Sequence, residues 1–221
     1  RPFNVGEQKV LLQALEEQEQ KAISNALIQL IRVCSDLQDS RLKVEQLSNT
    51  DLEWLFIKIR EKSVGESAKI LLGCHDAPVC EGTTPVEVDF SRMEIEGEVK
   101  DNKVQLTDTI GVLLRTPSFS DVQSVMDKAS TADEQLNTST VFSLLSKCIE
   151  QVFDAENVYD TTEFSEKEID DFIDELTVDQ FNLIMDWFSS VPKLVYNADF
   201  TCSKCGKVQT QQLTGLQNFF V

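Results

Sequence analysis

Six cysteines are the residues of this 221-residue chain best suited to chemistry, and four of them are spaced to share a metal ion. Cys202-Ser203-Lys204-Cys205-Gly206 places two thiols at i and i+3. In a tight turn both sulfurs reach one ion, and the glycine that follows can adopt positive φ and turn backbone amides toward them. The flanking runs, 194–201 and 207–212, read as strands, so the motif sits at a hairpin tip, as in a zinc ribbon. A C-x-x-C also serves redox chemistry, but there the motif opens a helix whose dipole lowers a thiol pKa; this one lies between strand-like runs. A tetrahedral site needs two more ligands. Cys74 and Cys80 bracket the loop Cys74-His75-Asp76-Ala77-Pro78-Val79-Cys80, directly after a strand-like run, at a spacing wider than a standard knuckle. His75, the only histidine, is the alternative to Cys80 as fourth ligand. Adjacent residues in an extended segment point to opposite sides, which favours Cys80. Cys74, Cys80, Cys202 and Cys205 are therefore expected to hold Zn2+. Four thiolates leave no open coordination position, so the ion would be structural, a clip between the middle of the chain and its C-terminal hairpin.

No catalytic residues are expected. A histidine-based triad could rest only on His75, and the sequence holds neither a phosphate-binding glycine loop nor an H-E-x-x-H. Asp170-Asp171 and Asp174-Glu175 are paired carboxylates, but they fall on the wet side of an amphipathic helix and read as a solvated face rather than a magnesium site.

The elements that must position the cysteines follow from periodicity. Residues 6–18 and 20–35 read as helices, the second with Ile23, Ala26, Leu27, Leu30, Ile31 and Cys34 on one stripe. Thr50-Asp51-Leu52-Glu53 has the form of a capping box opening a third, with Leu52, Leu55, Phe56 and Ile59 inward. Its Lys58, Arg60 and Lys62 suit the negative end of the helix dipole, or else form a small basic patch. From residue 67 the period shortens. Residues 68–72, 86–90, 104–106 and 110–115 read as strands. Helices return at 122–128, then along the stripe Val141, Leu144, Leu145, Cys148, Ile149 and Val152, with 129–138 an exposed connector. Capping boxes at Ser165–Glu168 and Thr177–Gln180 open two more, the last stopping before Pro192. Cys34 and Cys148 lie on apolar stripes and read as core thiols. The expected fold class is α+β: N-terminal helices, a small antiparallel sheet carrying a zinc-ribbon-like site of four cysteines, and an inserted acidic helical lobe. The expected segments are 1–66, helical; 67–116 with 193–221, a zinc-clipped β domain; and 117–192, the lobe.

The net charge is −18. Residues 1–70 are nearly balanced, whereas Glu150 to Asp186 carries thirteen acids against Lys167 alone. That sign disfavours nucleic acid as a partner and leaves a solvated face, a dock for a basic partner or a nucleic-acid mimic. No apolar run approaches the length of a membrane span, and the start does not read as a signal peptide. A reducing cytosolic compartment is expected, where clustered cysteines bind metal rather than pair.

Three separated stretches resemble a known family, the T4-type bacteriophage baseplate hub subunit or hub assembly proteins. Arg1-Pro2-Phe3-Asn4-Val5-Gly6-Glu7-Gln8-Lys9-Val10-Leu11-Leu12 looks like the family's opening. Phe56-Ile57-Lys58-Ile59-Arg60-Glu61-Lys62-Ser63-Val64-Gly65 looks like its central signature, and Cys202 to Gly206 followed by Gly215-Leu216-Gln217-Asn218-Phe219-Phe220 like its ending. The middle pair, Cys74 and Cys80, is less compact than in the family's pattern. The resemblance implies a non-enzymatic role at the hub of a contractile tail, through contacts with other phage hub and tail proteins. It also implies assembly in the host bacterial cytoplasm and a place in the virion baseplate. The competing expectation is a zinc-ribbon regulatory module that binds a host enzyme through its acidic face. The aromatic end, Phe219-Phe220-Val221, is either a partner anchor or packed on its own sheet.

Overall fold

The computed structural model describes residues 1–17, 19–36, 43–76, 79–98, 100–126 and 138–215. Its helices are α1 Val5–Glu17, α2 Gln20–Cys34, α3 Asn49–Val64, α4 Phe119–Met126, α5 Thr138–Cys148, α6 Glu166–Asp174 and α7 Val178–Ser190. Its strands are β1 Ser67–Gly73, β2 Thr83–Asp89, β3 Glu94–Glu96, β4 Lys103–Gln105, β5 Gly111–Leu114, β6 Ile149–Phe153, β7 Val158–Asp160, β8 Lys193–Thr201 and β9 Val208–Thr214. This is an α+β chain with antiparallel sheets throughout. Contacts group it into two units, Arg1–Val44 with Thr50–Glu96 and Pro192–Val221, and Glu45–Asn49 with Gly97–Val191. The connector expected at 129–138 and the Phe219-Phe220-Val221 end lie almost wholly outside the described residues.

The first unit holds all four expected metal ligands. The α2 stripe buries Ala26, Leu27, Leu30, Ile31 and Cys34. Strict alternation makes β1 a one-faced strand: Ala68, Ile70 and Leu72 are buried, while Lys69, Leu71 and Gly73 face solvent. β1 pairs with β2 from Ser67↔Asp89 to Gly73↔Thr83, so the 74–82 loop is a hairpin tip. β8 pairs with β9 from Val195↔Thr214 to Thr201↔Val208, so the Cys202–Gly206 motif is the tip of a second hairpin. β3 joins β8 on its other edge, Glu94 opposite Val195. The two hairpins are tied by the Asp89 amide, which donates to the Tyr196 hydroxyl at 3.3 Å. Leu52, Phe56, Ile57, Val88, Phe90, Leu194 and Leu213 are almost wholly buried in this unit.

One local expectation about α3 fails, and so does the basic-patch alternative for its cations. Thr50 is not a cap: the helix begins at Asn49, and the Thr50 hydroxyl donates to the Pro192 carbonyl at 2.8 Å. Its fourth-residue partner, Glu53, is buried. Nor do the cations form an exposed patch. Arg60 is buried with its guanidinium 4.6 Å from the Phe90 ring centroid, and burial lowers its pKa.

In the second unit a four-stranded sheet, order β4-β5-β6-β7, packs a core of Leu106, Val112, Leu114, Leu145, Ile149, Ile173, Ile184 and Trp187. The stripe expected to stay helical through Val152 breaks at Cys148, and β6 follows at once. Arg115 explains the break. Its amide donates to the Cys148 carbonyl at 2.8 Å and its Nη2 to the Lys147 carbonyl at 2.6 Å, so the last carbonyls of α5 are satisfied without another turn. Beyond them Ile149, Val152 and Phe153 are β-formers and pair with β5. The 67–115 strands consequently do not form one sheet: β4 and β5 pair with β6 and β7 in this unit.

Both later capping boxes form as spaced. The Ser165 and Thr177 hydroxyls accept from the Glu168 and Gln180 amides, and those side chains return to the cap amides. Thr177→Ala is expected to lower stability by about 1 kcal/mol, read as a shift in the urea midpoint with m unchanged. Several acids of the 150–186 run do local work. Asp154 accepts the Glu156 and Asn157 amides and Asp160 accepts the Thr162 hydroxyl and amide, closing turns, and those bonds hold both carboxyls below the usual range. Asp170, Asp171, Asp174 and Glu175 are exposed, on the wet side of the α6 segment. Among the described residues no helix is long and apolar enough to cross a membrane.

Candidate metal centre

Four sulfurs converge where the two hairpin tips meet. The Sγ atoms of Cys74, Cys80, Cys202 and Cys205 all lie within 4.8 Å of one another. Cys74 is 3.7 Å from Cys205, and Cys80 is 3.8 Å from Cys202, so each close pair bridges the hairpins. These separations are far too long for disulfides, whose S–S bond is about 2.0 Å, and the cysteines are free. They do fit a shared ion. With Zn–S bonds of about 2.3 Å, neighbouring sulfurs of a tetrahedron sit about 3.8 Å apart. Cys74, Cys80 and Cys202 are buried together, and Cys205 alone is exposed.

Local backbone chemistry builds each half. In the β8–β9 tip, the Gly206 amide donates to the Cys202 carbonyl and the Cys202 amide to the Lys207 carbonyl, both at 2.9 Å. Gly206 sits at φ +73°, the left-handed conformation its position requires. In the β1–β2 tip, the Cys74 amide donates to Gly82 O at 2.9 Å and the Cys80 amide to Asp76 O at 3.0 Å. The tips are stitched directly. The Ser203 amide donates to Thr84 Oγ1 at 2.9 Å and its hydroxyl to the Thr83 carbonyl at 2.7 Å, while Lys207 pairs with Asp76.

The sulfurs are poised unequally. Backbone amides of Cys205 and Lys204 point at the Cys202 sulfur and hold its pKa down to about 6. The Lys207 amide favours the Cys205 thiolate, but desolvation and the neighbouring sulfurs of Cys202, Cys74 and Cys80 outweigh it and push that thiol up to about 12. Cys80 behaves likewise: the Gly82 amide lowers its pKa, and desolvation with the Cys74 and Cys202 sulfurs raises it further. Such splitting is what like charges forced into one place produce, and a bound dication removes its cause. The donor set is thus one that could hold a soft or borderline metal ion.

The remaining candidates do not join the cluster. His75 is exposed, its ring edge-on to Phe200 with centroids 6.4 Å apart, and it lies outside the four-sulfur group. Cys34 and Cys148 are buried away from the cluster, and burial pushes the Cys148 thiol up to about 12. Two contributors escaped the sequence reading. Gly82 is so close that a Cβ there would lie 2.7 Å from Cys202 Sγ, 2.8 Å from Lys204 Cβ and 3.3 Å from Cys80 Sγ. The signal was present in Cys80-Glu81-Gly82, a glycine two residues after a cysteine of the cluster, as Gly206 follows Cys205. Gln209 donates from Nε2 to Cys74 Sγ at 3.0 Å, and nothing in a glutamine-rich strand marks it.

No curated protein and no solved structure matches this chain. The model of one protein family, described as T4 bacteriophage base plate protein, matches it along its whole length, residues 1–221. A match that takes in both hairpin tips, the helices before them and the acidic unit leaves no segment outside the assignment, and the chain belongs to the T4 bacteriophage base plate protein family.

Proposed function

We propose that this chain works at the central hub of a contractile-tail baseplate, as a hub component or as a factor that assembles the hub, with one structural Zn2+ held by Cys74, Cys80, Cys202 and Cys205. The family match over residues 1–221 carries the baseplate role. Family membership places the protein among phage structural proteins of the virion tail, so its contacts are with other phage structural proteins. The hub placement rests on the resemblance of the Arg1–Leu12, Phe56–Gly65 and Cys202–Gly206 stretches. Four sulfurs at tetrahedral spacing support zinc and a fastening role: no coordination position would remain for substrate or water, so the ion contributes rigidity and no chemistry. Other hub or tail proteins are the partners, met in the host cytoplasm while the tail is built.

The test has two parts. Elemental analysis of protein purified without chelator is expected to give one zinc per chain. Mass spectrometry of purified virions and of tail intermediates is expected to find the chain with baseplate proteins. Recovery only with a host polymerase or nuclease would overturn the hub reading in favour of a regulatory module. A metal content near zero would overturn the zinc assignment and leave the family standing.

A further inference from the structure

We propose that Gln209 is a positioning residue of the metal centre, a side-chain clamp that fixes the place of the Cys74 sulfur as a ligand. The inference rests on the zinc reading above. Gln209 lies on β9, opposite Phe200 in register, with its half-buried side chain on the face that also carries Gln211 and Leu213. Its carboxamide grips two consecutive groups of the other hairpin. Oε1 accepts from the His75 amide at 2.8 Å, and Nε2 lies 3.0 Å from Cys74 Sγ.

The orientation of that amide is forced. A backbone N–H can only donate, so the oxygen must face His75 and the NH2 must face the sulfur. The NH2 can only donate in turn, which requires the sulfur to accept. A thiol accepts weakly and a thiolate strongly. Cys74 receives a side-chain donor from the opposite hairpin. Its own amide is turned to the Gly82 carbonyl, and its partner in sequence is six residues away rather than three. Gln209 thereby serves the wider half of the site and holds the loop backbone at His75 in the same grip.

The experiment uses the full chain loaded with 113Cd2+ as a spectroscopic stand-in, together with zinc affinity by chelator competition. Gln209→Glu keeps the shape but faces an acceptor to the thiolate; Gln209→Ala removes the clamp. Each is expected to weaken zinc binding about 10–100-fold and to move the 113Cd resonance. Gln211→Ala, on the same face of β9, is expected to do neither. Gln209 variants with unchanged affinity and resonance would overturn the inference, and so would a lower Tm with the resonance unmoved, since that marks a merely structural contact. Wild-type protein that takes up neither Cd2+ nor Zn2+ would bring down the zinc reading itself, which separates the two failures.

Discussion

Stripping the metal with a strong chelator is expected to unfold the paired hairpins at 25 °C. Binding of a structural zinc of this kind supplies about 10 kcal/mol or more of folding free energy, as much as the whole stability of an ordinary domain, about 5–15 kcal/mol. The tips are otherwise joined by polar contacts, Ser203 with Thr83 and Thr84, Lys207 with Asp76 and Gln209 with His75. β1 and β2 form only a two-stranded sheet, an arrangement that is marginal alone. Without the ion, the four sulfurs, three of them buried, also lose the cation that would let them sit together as thiolates. The measurement is alkylation of native protein before and after chelation, mapped by peptide. Cys74, Cys80, Cys202 and Cys205 should become reactive together, while Cys148, buried in the core of the other unit, stays protected. Cys202→Ser should reproduce the chelated pattern without chelator. Retention of the wild-type Tm and of thiol protection after complete metal removal would show that hydrogen bonds such as Ser203 to Thr83 and Thr84 suffice, and the ion would be incidental.

The same residues show how far the sequence could be read. That Cys202 and Cys205 share one hairpin tip was legible because the pattern is local: two thiols at i and i+3 before a glycine constrain the turn whatever surrounds them. The capping boxes at Ser165 and Thr177 were legible for the same reason, each satisfied within four residues. What failed was decided by partners distant in sequence. Thr50 matches the cap pattern as well as Thr177 does, yet the Pro192 carbonyl takes its hydroxyl. The stripe ending at Val152 satisfies helical spacing, but Arg115 captures the α5 carbonyls from 32 residues before Lys147 and the strand wins. Gln209 belongs to this second class. Its role depends on a register that puts β9 beside the tip of another hairpin, and no periodicity within β9 encodes that. Gly82 falls between the classes: its place just after Cys80 is local, but the need for glycine comes from Cys202 and Lys204 on the other tip.

That distinction separates the two glycines of the site by experiment. Gly206→Ala meets no atom within 4 Å, so its cost is conformational, an L-residue at φ +73°. A residue in that region typically costs about 1 kcal/mol or a little more, roughly a fivefold to tenfold loss of zinc affinity. Gly82→Ala is different in kind. Its Cβ would need to displace Cys202 Sγ and Lys204 Cβ, at 2.7 and 2.8 Å, and to crowd Cys80 Sγ at 3.3 Å. Lys204 Cβ is tied to its backbone between the two knuckle cysteines and cannot swing aside, and the two sulfurs are ones the proposed ion would need in place. Overpacking a tight site costs about 1–3 kcal/mol, and here the strain falls on coordination bonds from both hairpins at once. Gly82→Ala is therefore expected to lose zinc affinity at the upper end of that range, on the order of 100-fold, with the larger change in Co2+ thiolate charge-transfer absorption. The order of the two variants is the decisive reading. If Gly206→Ala proved the more damaging in both affinity and spectrum, the approach of Gly82 to the sulfurs would not be what shapes the centre, and the two tips would have to meet in another way.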